Sequence, residues 1–200
     1  DHLLQESGTS GLTFGPLDVE IQAITADSRD VTQQSLFVAL RGQTVDGHDY
    51  IDSAIERGAG AVVAETPAPS RRPPELAWIQ VQNTTTSLGV LADAYHHHPS
   101  RSLEVLAVTG TNGKTTVTWL LDHILRETGH HPGLLGTVET RFGDTRRTAS
   151  YTTPLAHELH ALLGEMRDVG CSHALMEASS HGLHQERMAG ATIAVGGYTN

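Results

Sequence analysis

The stretch from Val105 to Thr116 constrains this chain more than any other. An apolar run, Leu103, Val105, Leu106, Ala107 and Val108, stops at Gly110, and beyond Lys114 come Val117, Leu120, Leu121, Ile124 and Leu125 at helical spacing. The run reads as a short buried parallel strand and the spacing as a helix. Strand, glycine loop, lysine, hydroxyl and helix, in that order, make a phosphate-binding loop. Gly110 and Gly113 let backbone N–H groups turn toward one point, where the helix N-terminus adds partial positive charge. Thr111, Asn112 and Thr116 complete the loop, Lys114 can reach outer phosphates, and the Thr115 hydroxyl is placed to ligate Mg²⁺. Val108 stands where the general pattern G-x-x-x-x-G-K-[ST] has glycine. A bland alternative is a turn with Lys114 solvated, but strand, loop, Lys-Thr-Thr and helix agree with one another against it.

A length of 200 residues allows one or two domains with a real core. The net charge of −10 argues against nucleic acid as the main partner, and the local basic cluster Arg141, Arg146 and Arg147 is too small to reverse that. No window approaches the roughly 18 apolar residues of a membrane span, and the N-terminus lacks a signal pattern. Cys171 is the single cysteine, so no internal disulfide forms. The expected compartment is the cytoplasm. His96, His97 and His98 end a helical pattern before Pro99. Adjacent helical residues point apart, so these are read as exposed side chains near a helix C-terminus, and His130 and His131 likewise as exposed turn residues.

Residues 1–18 read as loop plus a short helix. Strands are expected from Val19, over Ser35–Leu40, Ala61–Ala64 and Leu76–Val81, with Asp27, Ser28 and Asp30 in a turn and helices over Ile51–Arg57 and Thr84–His97. The polar connector around Pro99–Ser102 places a domain boundary there, giving domains 1–100 and 101–200. In the second, a helix is expected over Lys114–Thr128, a strand over Gly133–Thr140, a hairpin turn at Gly143-Asp144, and a helix over Leu155–Val169 with Thr153 as its N-cap before Pro154. Strands follow at His173–Met176 and Thr192–Tyr198. The fold class is α/β: an N-terminal α/β domain, then an incomplete P-loop domain with a mostly parallel sheet. Three or four strands are few for such a sheet, so the chain reads as the front of a longer protein.

Ligands of open α/β sheets sit beyond the carboxyl ends of the strands. Glu177 arrives there after an apolar strand, where a nucleotide site holds a second Mg²⁺ ligand; a solvated strand-end carboxylate is the plainer alternative. Ser179, Ser180 and His181 are adjacent and lack the G-x-S-x-G elbow, so hydrolase geometry is out of reach. Gln185 and Arg187 follow, and a guanidinium suits a carboxylate or diphosphate.

Together, ADSR (Ala26–Arg29), SLFVALRG, DGHDYIDSAIERGAGAVVAE, VTGTNGKTT, LLGTVE, YTTP, MEASSHGL and HQER resemble the Mur ligases of peptidoglycan synthesis, in order across nearly the whole chain. The resemblance is strongest to the branch that adds diaminopimelate or lysine to UDP-N-acetylmuramoyl-L-alanyl-D-glutamate. GTNGKTT is that family's own ATP loop, which accounts for Val108. Folylpolyglutamate-synthase-like ligases share the loop, but TTP and SSHGL fit the muramyl branch better. The resemblance implies a UDP-sugar-binding first domain, an ATPase domain and a later amino-acid-binding domain. It assigns Ala26, Ser28, Gln43, Thr44 and Val45 to the uridine diphosphate, and Tyr151, Thr152, Thr153, Ser179, Gln185 and Arg187 to the muramoyl dipeptide. Gly110 to Thr116 would bind ATP, Thr115 and Glu177 would hold Mg²⁺, and Lys114 and Glu177 would carry the catalysis, in a monomer. Gln43-Thr44-Val45 lacks the histidine often found there, and Ala178 replaces a usual valine. A carbamylated lysine, another metal-ligating histidine and the amino-acid domain would lie beyond Asn200. The chain alone is therefore expected to bind nucleotide weakly and to form no peptide bond. Two other classes remain: a non-catalytic UDP-sugar or nucleotide-binding module, and a P-loop kinase or GTPase, for which no base-specificity or lid element is found.

Overall fold

The computed structural model describes residues 2–42 and 44–200. It is mixed α/β with two mostly parallel sheets, and divides into two compact units between Leu91 and Ala92.

The first unit runs α1 (His2–Ser7), β1 (Leu12–Phe14), β2 (Ala23–Thr25), β3 (Ser35–Val38), α2 (Ile51–Glu56), β4 (Ala59–Ala64), β5 (Ala77–Gln80) and the start of α3 (Thr84–Tyr95). Among the described residues its sheet has the order β1-β5-β4-β3-β2, with β1 antiparallel to β5 and the other pairs parallel. Every residue of β3 is buried, and so are Val62 and Val63, which point to opposite faces of β4. A strand covered on both sides needs such an uninterrupted apolar run, because neither face meets water. Phe37, Val62, Ile51, Ala54 and Trp78 form the core, and the Trp78 indole donates to the Thr66 carbonyl at 3.2 Å. β1 was not anticipated: its three residues are all exposed, so no burial pattern marks them. The strand expected from Val19 begins only at Ala23.

The second unit runs β6 (Glu104–Gly110), α4 (Lys114–Glu127), β7 (Pro132–Leu135), β8 (Glu139–Phe142), β9 (Thr145–Thr148), α5 (Ala156–Asp168), β10 (His173–Glu177), α6 (Ser180–His184) and β11 (Val195–Thr199). Among the described residues the sheet order is β11-β6-β10-β7-β8-β9, six strands rather than the expected three or four. The first four are parallel, and β8 and β9 add an antiparallel hairpin. β6 and β10 are neighbours, with Val108 beside Glu177, so their carboxyl ends open side by side. α5 packs Leu159, Leu163 and Met166, each fully buried, into a core with Val105, Leu135 and Met176.

Three expectations need correction. The single strand over Gly133–Thr140 is two, reversed through Gly136–Val138, because the chain turns back toward the Glu177 carboxylate. Thr153 is not the helix cap. α5 starts at Ala156, and Leu155 N–H is satisfied by the Glu158 carboxylate at 3.1 Å. The histidine run is only partly exposed: His97 is exposed, whereas His96 and His98 are half-buried. His98 Nδ1 lies 2.6 Å from the buried Asp93, which also faces the fully buried His160 at 3.3 Å. Burial, then repulsion from His160 and Arg167, pushes the His96 pKa down.

Candidate functional site

β6 ends at Gly110 with φ +134, a backbone shape side chains rarely adopt, and any Cβ there would collide with the Thr199 carbonyl of β11. α4 then starts at Lys114 with Gly113 as its cap, a residue that has no side chain to bond the first N–H groups. Those donors and the helix dipole face the mouth of the loop. Lys114 arches back, its Nζ donating to Gly110 O at 2.8 Å and Thr111 O at 3.4 Å. Among the described residues its ammonium has carbonyl partners and no carboxylate. An anion arriving in the loop meets an unneutralised charge. Thr111, Asn112 and Thr116 line the rim, exposed.

The Glu177 side chain is 1% exposed and bridges the two ends of this arrangement. Its Oε2 accepts from the Thr115 hydroxyl and the Thr137 hydroxyl, each at 3.0 Å, and its Oε1 from Thr137 N–H at 3.0 Å. A solvated strand-end carboxylate is thereby ruled out. A Cβ on Gly136 would stand 2.7 Å from Oε1, so the turn approaches the carboxylate because it carries no side chain there. Thr137 is the site residue that sequence reasoning missed. It lay inside the quoted LLGTVE segment, but no spacing rule marks one hydroxyl in a turn. Its Oγ1 also bonds the Thr152 hydroxyl at 3.1 Å.

The segments 151–153, 177–179 and 185–187 converge beside this carboxylate. Thr153, 1% exposed, donates to the Glu177 carbonyl at 3.0 Å and accepts from Ser179 N–H at 2.9 Å. Ser179 Oγ caps α6 by accepting from Gly182 N–H at 3.0 Å. Arg187 donates to the Thr153 carbonyl at 2.7 Å and to the Gln185 side-chain oxygen at 2.7 and 3.0 Å, with its guanidinium 5.0 Å from the centre of the Tyr151 ring. Among the described residues Arg187 has no carboxylate partner, so a second cation stands ready for an anionic ligand.

In the first unit, Ser28 is buried and opens a 3-10 turn capped by Asp27, whose carboxylate accepts from Arg29 N–H at 2.9 Å. Hydrogen bonding to Arg29 pulls the Asp27 pKa down to about 2. Ala26 is half-buried, Thr44 and Val45 are exposed, and Gln43 lies outside the described residues. Beyond Val45 the chain is held at Asp46 and His48: His48 Nε2 accepts from Glu65 N–H at 3.0 Å. That bond leaves the ring proton on Nδ1, which lies 2.6 Å from Asp46.

No group of three or more His, Cys, Asp or Glu could hold a metal among the described residues. A hydroxyl and a single carboxylate at a phosphate loop fit Mg²⁺ instead, which keeps waters and phosphate oxygens as its remaining ligands.

Residues 20–96 match the family model described as Mur ligase family, catalytic domain, and residues 108–200 match the Mur ligase middle domain. The UDP-N-acetylmuramoyl-L-alanyl-D-glutamate--2,6-diaminopimelate ligase of Parabacteroides distasonis is 43% identical over 189 residues, 94% of this chain and 39% of that relative. The UDP-N-acetylmuramyl-tripeptide synthetase of a Roseiflexus species is 44% identical over 189 residues, 92% of this chain and 37% of the relative. The chain thus spans about two-fifths of the length of these curated relatives. A solved structure of a UDP-N-acetylmuramoyl-L-alanyl-D-glutamate--2,6-diaminopimelate ligase shares the fold with a TM-score of 0.74 at 24% identity, over 96% of this chain and 40% of that one.

Proposed function

The chain belongs to the Mur ligase family, and from that premise we propose that it serves an ATP-dependent amide ligase of peptidoglycan precursor synthesis. The acceptor is UDP-N-acetylmuramoyl-L-alanyl-D-glutamate, and the amino acid joined to it is meso-diaminopimelate or L-lysine. The observation that carries this reading is the double use of Glu177: its carboxylate takes the Thr115 hydroxyl of the phosphate loop, and its carbonyl takes Thr153 of the YTTP loop. One residue therefore sets the distance between a nucleotide phosphate and a substrate held by Tyr151, Thr152 and Thr153.

ATP with Mg²⁺ supplies the phosphoryl group that activates the substrate carboxylate as an acyl phosphate. The residues of this chain position and neutralise. Gly110 to Thr116 cradle the phosphates, and Lys114 exchanges its loop carbonyls for phosphate oxygens. Thr115 and Glu177 would hold the cation, with the Thr115 hydroxyl proton, which the carboxylate accepts here, turned away from it. Arg187, with Gln185 and Ser179, orients the acceptor carboxylate in line with the transferring phosphoryl group. Ala26, Ser28 and Gln43 to Val45 hold the uridine diphosphate. We place this work in the cytoplasm, in a monomer.

The test is a ligation assay on protein carrying these residues, with UDP-muramoyl dipeptide, ATP, Mg²⁺ and either diaminopimelate or lysine. Tripeptide and phosphate should form in equal amounts, and Lys114→Ala should cut the rate at least a hundredfold, the scale of losing a charge-stabilising donor. ATP cleavage without amide product, or full turnover in Lys114→Ala, would refute the proposal.

A further inference from the structure

The basic cluster between α4 and the β8–β9 hairpin takes no part in that reaction. A cavity of about 410 Å³ opens there, lined by Trp119, His123, Arg126, Arg141 and Arg146 over the buried Asp122. That volume lies within the range of small-molecule sites, about 300–1,000 Å³. One buried carboxylate arranges two of the guanidiniums: Asp122, 2% exposed, accepts from Arg126 Nε at 3.0 Å and Arg141 Nη2 at 2.5 Å, both on Oδ2. Arg126 is fixed further by donating to the Pro132 carbonyl at 3.0 Å. Arg141 lies 4.4 Å over the Trp119 ring and 3.3 Å from Glu139. Arg146 is exposed and has no ion pair among the described residues. Three guanidiniums thus face two carboxylates, and the surplus charge sits at the cavity mouth of a chain whose net charge is −10.

The geometry points to a binding site for a small anion bearing a flat ring, its charge between Arg126 and Arg146 and its ring against Trp119. Arginine forks suit a phosphate or carboxylate, and the held side chains lose little freedom on binding. Trp119 is 36% exposed and gives the ring a stacking surface. The site is distinct from the phosphate loop, because Asp122 stands two turns along α4 from Thr115, about 10 Å.

Trp119 is also the reporter. The chain has two tryptophans, and the other, Trp78, is 2% exposed in the first unit. Phenyl phosphate titrated into the chain should quench tryptophan emission along a saturating curve. Arg146→Ala should weaken the midpoint at least fivefold. Arg147→Ala should leave it unchanged, since that neighbouring guanidinium is already paired with Glu165 at 2.6 Å. Saturating Mg·ATP should not displace the probe. Quenching that rises linearly without saturation overturns the assignment. So does equal weakening by Arg146→Ala and Arg147→Ala, which would mean bulk charge, and so does displacement by ATP, which would put the probe in the phosphate loop.

Discussion

Glu177 holds three donors on a carboxylate with almost no access to water, and each of those bonds is to a charged acceptor. Removing one is worth about 1.5–3 kcal/mol, so Thr137→Val should lower unfolding stability by that order in urea titrations. The same change should weaken any cation held by Glu177, because the carboxylate loses the contact that aims it. Acidity acts on a different group. His96 and His173 have pKa values pushed down, chiefly by burial, with His160 and Arg167 adding to the first and His130 to the second. The unfolded chain then takes up protons near pH 6.5, above where the folded chain does. Their contribution to stability is full above that value and is lost as pH falls through it. The melting temperature should drop between pH 7.5 and 5.5, by less in His96→Gln, where the proton-linked part is gone.

α4 carries two tasks on one helix. Its first residues, Lys114 and Thr115, face the phosphate loop, while Thr118 and Asp122 turn inward and the helix packs on β6, β7 and β10. The apolar spacing that includes Leu120 and Ile124 marked the helix, yet these two side chains are 57% and 55% exposed. Period identifies a helix; it does not say which stripe meets the sheet when a buried ion pair competes for that place. Asp122→Ala should strip the buried partner from Arg126 and Arg141 and cost about 1.5–3 kcal/mol, the scale of charge-assisted hydrogen bonds, since Arg126 is 45% exposed and Arg141 keeps Glu139; chemical denaturation measures it. The parallel strands were legible because burial on both faces leaves continuous apolar runs, and the glycine loop because backbone shape demands those residues. β1, the reversal at Gly136–Val138 and the role of Thr137 were not, since each depends on partners distant in sequence. Thr153 was read as a cap because Pro154 suits a first helical position; its hydroxyl instead serves the Glu177 carbonyl and Ser179, a contact no local rule contains.

At the scale of the whole molecule, the substrate assignments fall in two units. Ala26, Ser28, Thr44 and Val45 belong to the first, and the phosphate loop, Glu177 and Arg187 to the second. Among the described residues, the hydrogen bonds that join assigned residues to one another, Thr115 to Glu177 and Thr153 to Glu177, Ser179 and Arg187 among them, lie in the second unit, so the nucleotide part of the proposal is tested there. The measurement that tests it most directly is calorimetric titration of ATP into the chain, with and without Mg²⁺, for the natural sequence and for Glu177→Gln. If Thr115 and Glu177 hold the cation together, Mg²⁺ should tighten ATP binding in the natural sequence, and the substitution should remove at least tenfold of that gain while leaving metal-free binding nearly unchanged. An equal Mg²⁺ effect in both chains would contradict the account, because Glu177 would then be a buried structural carboxylate and the cation would have its ligands elsewhere.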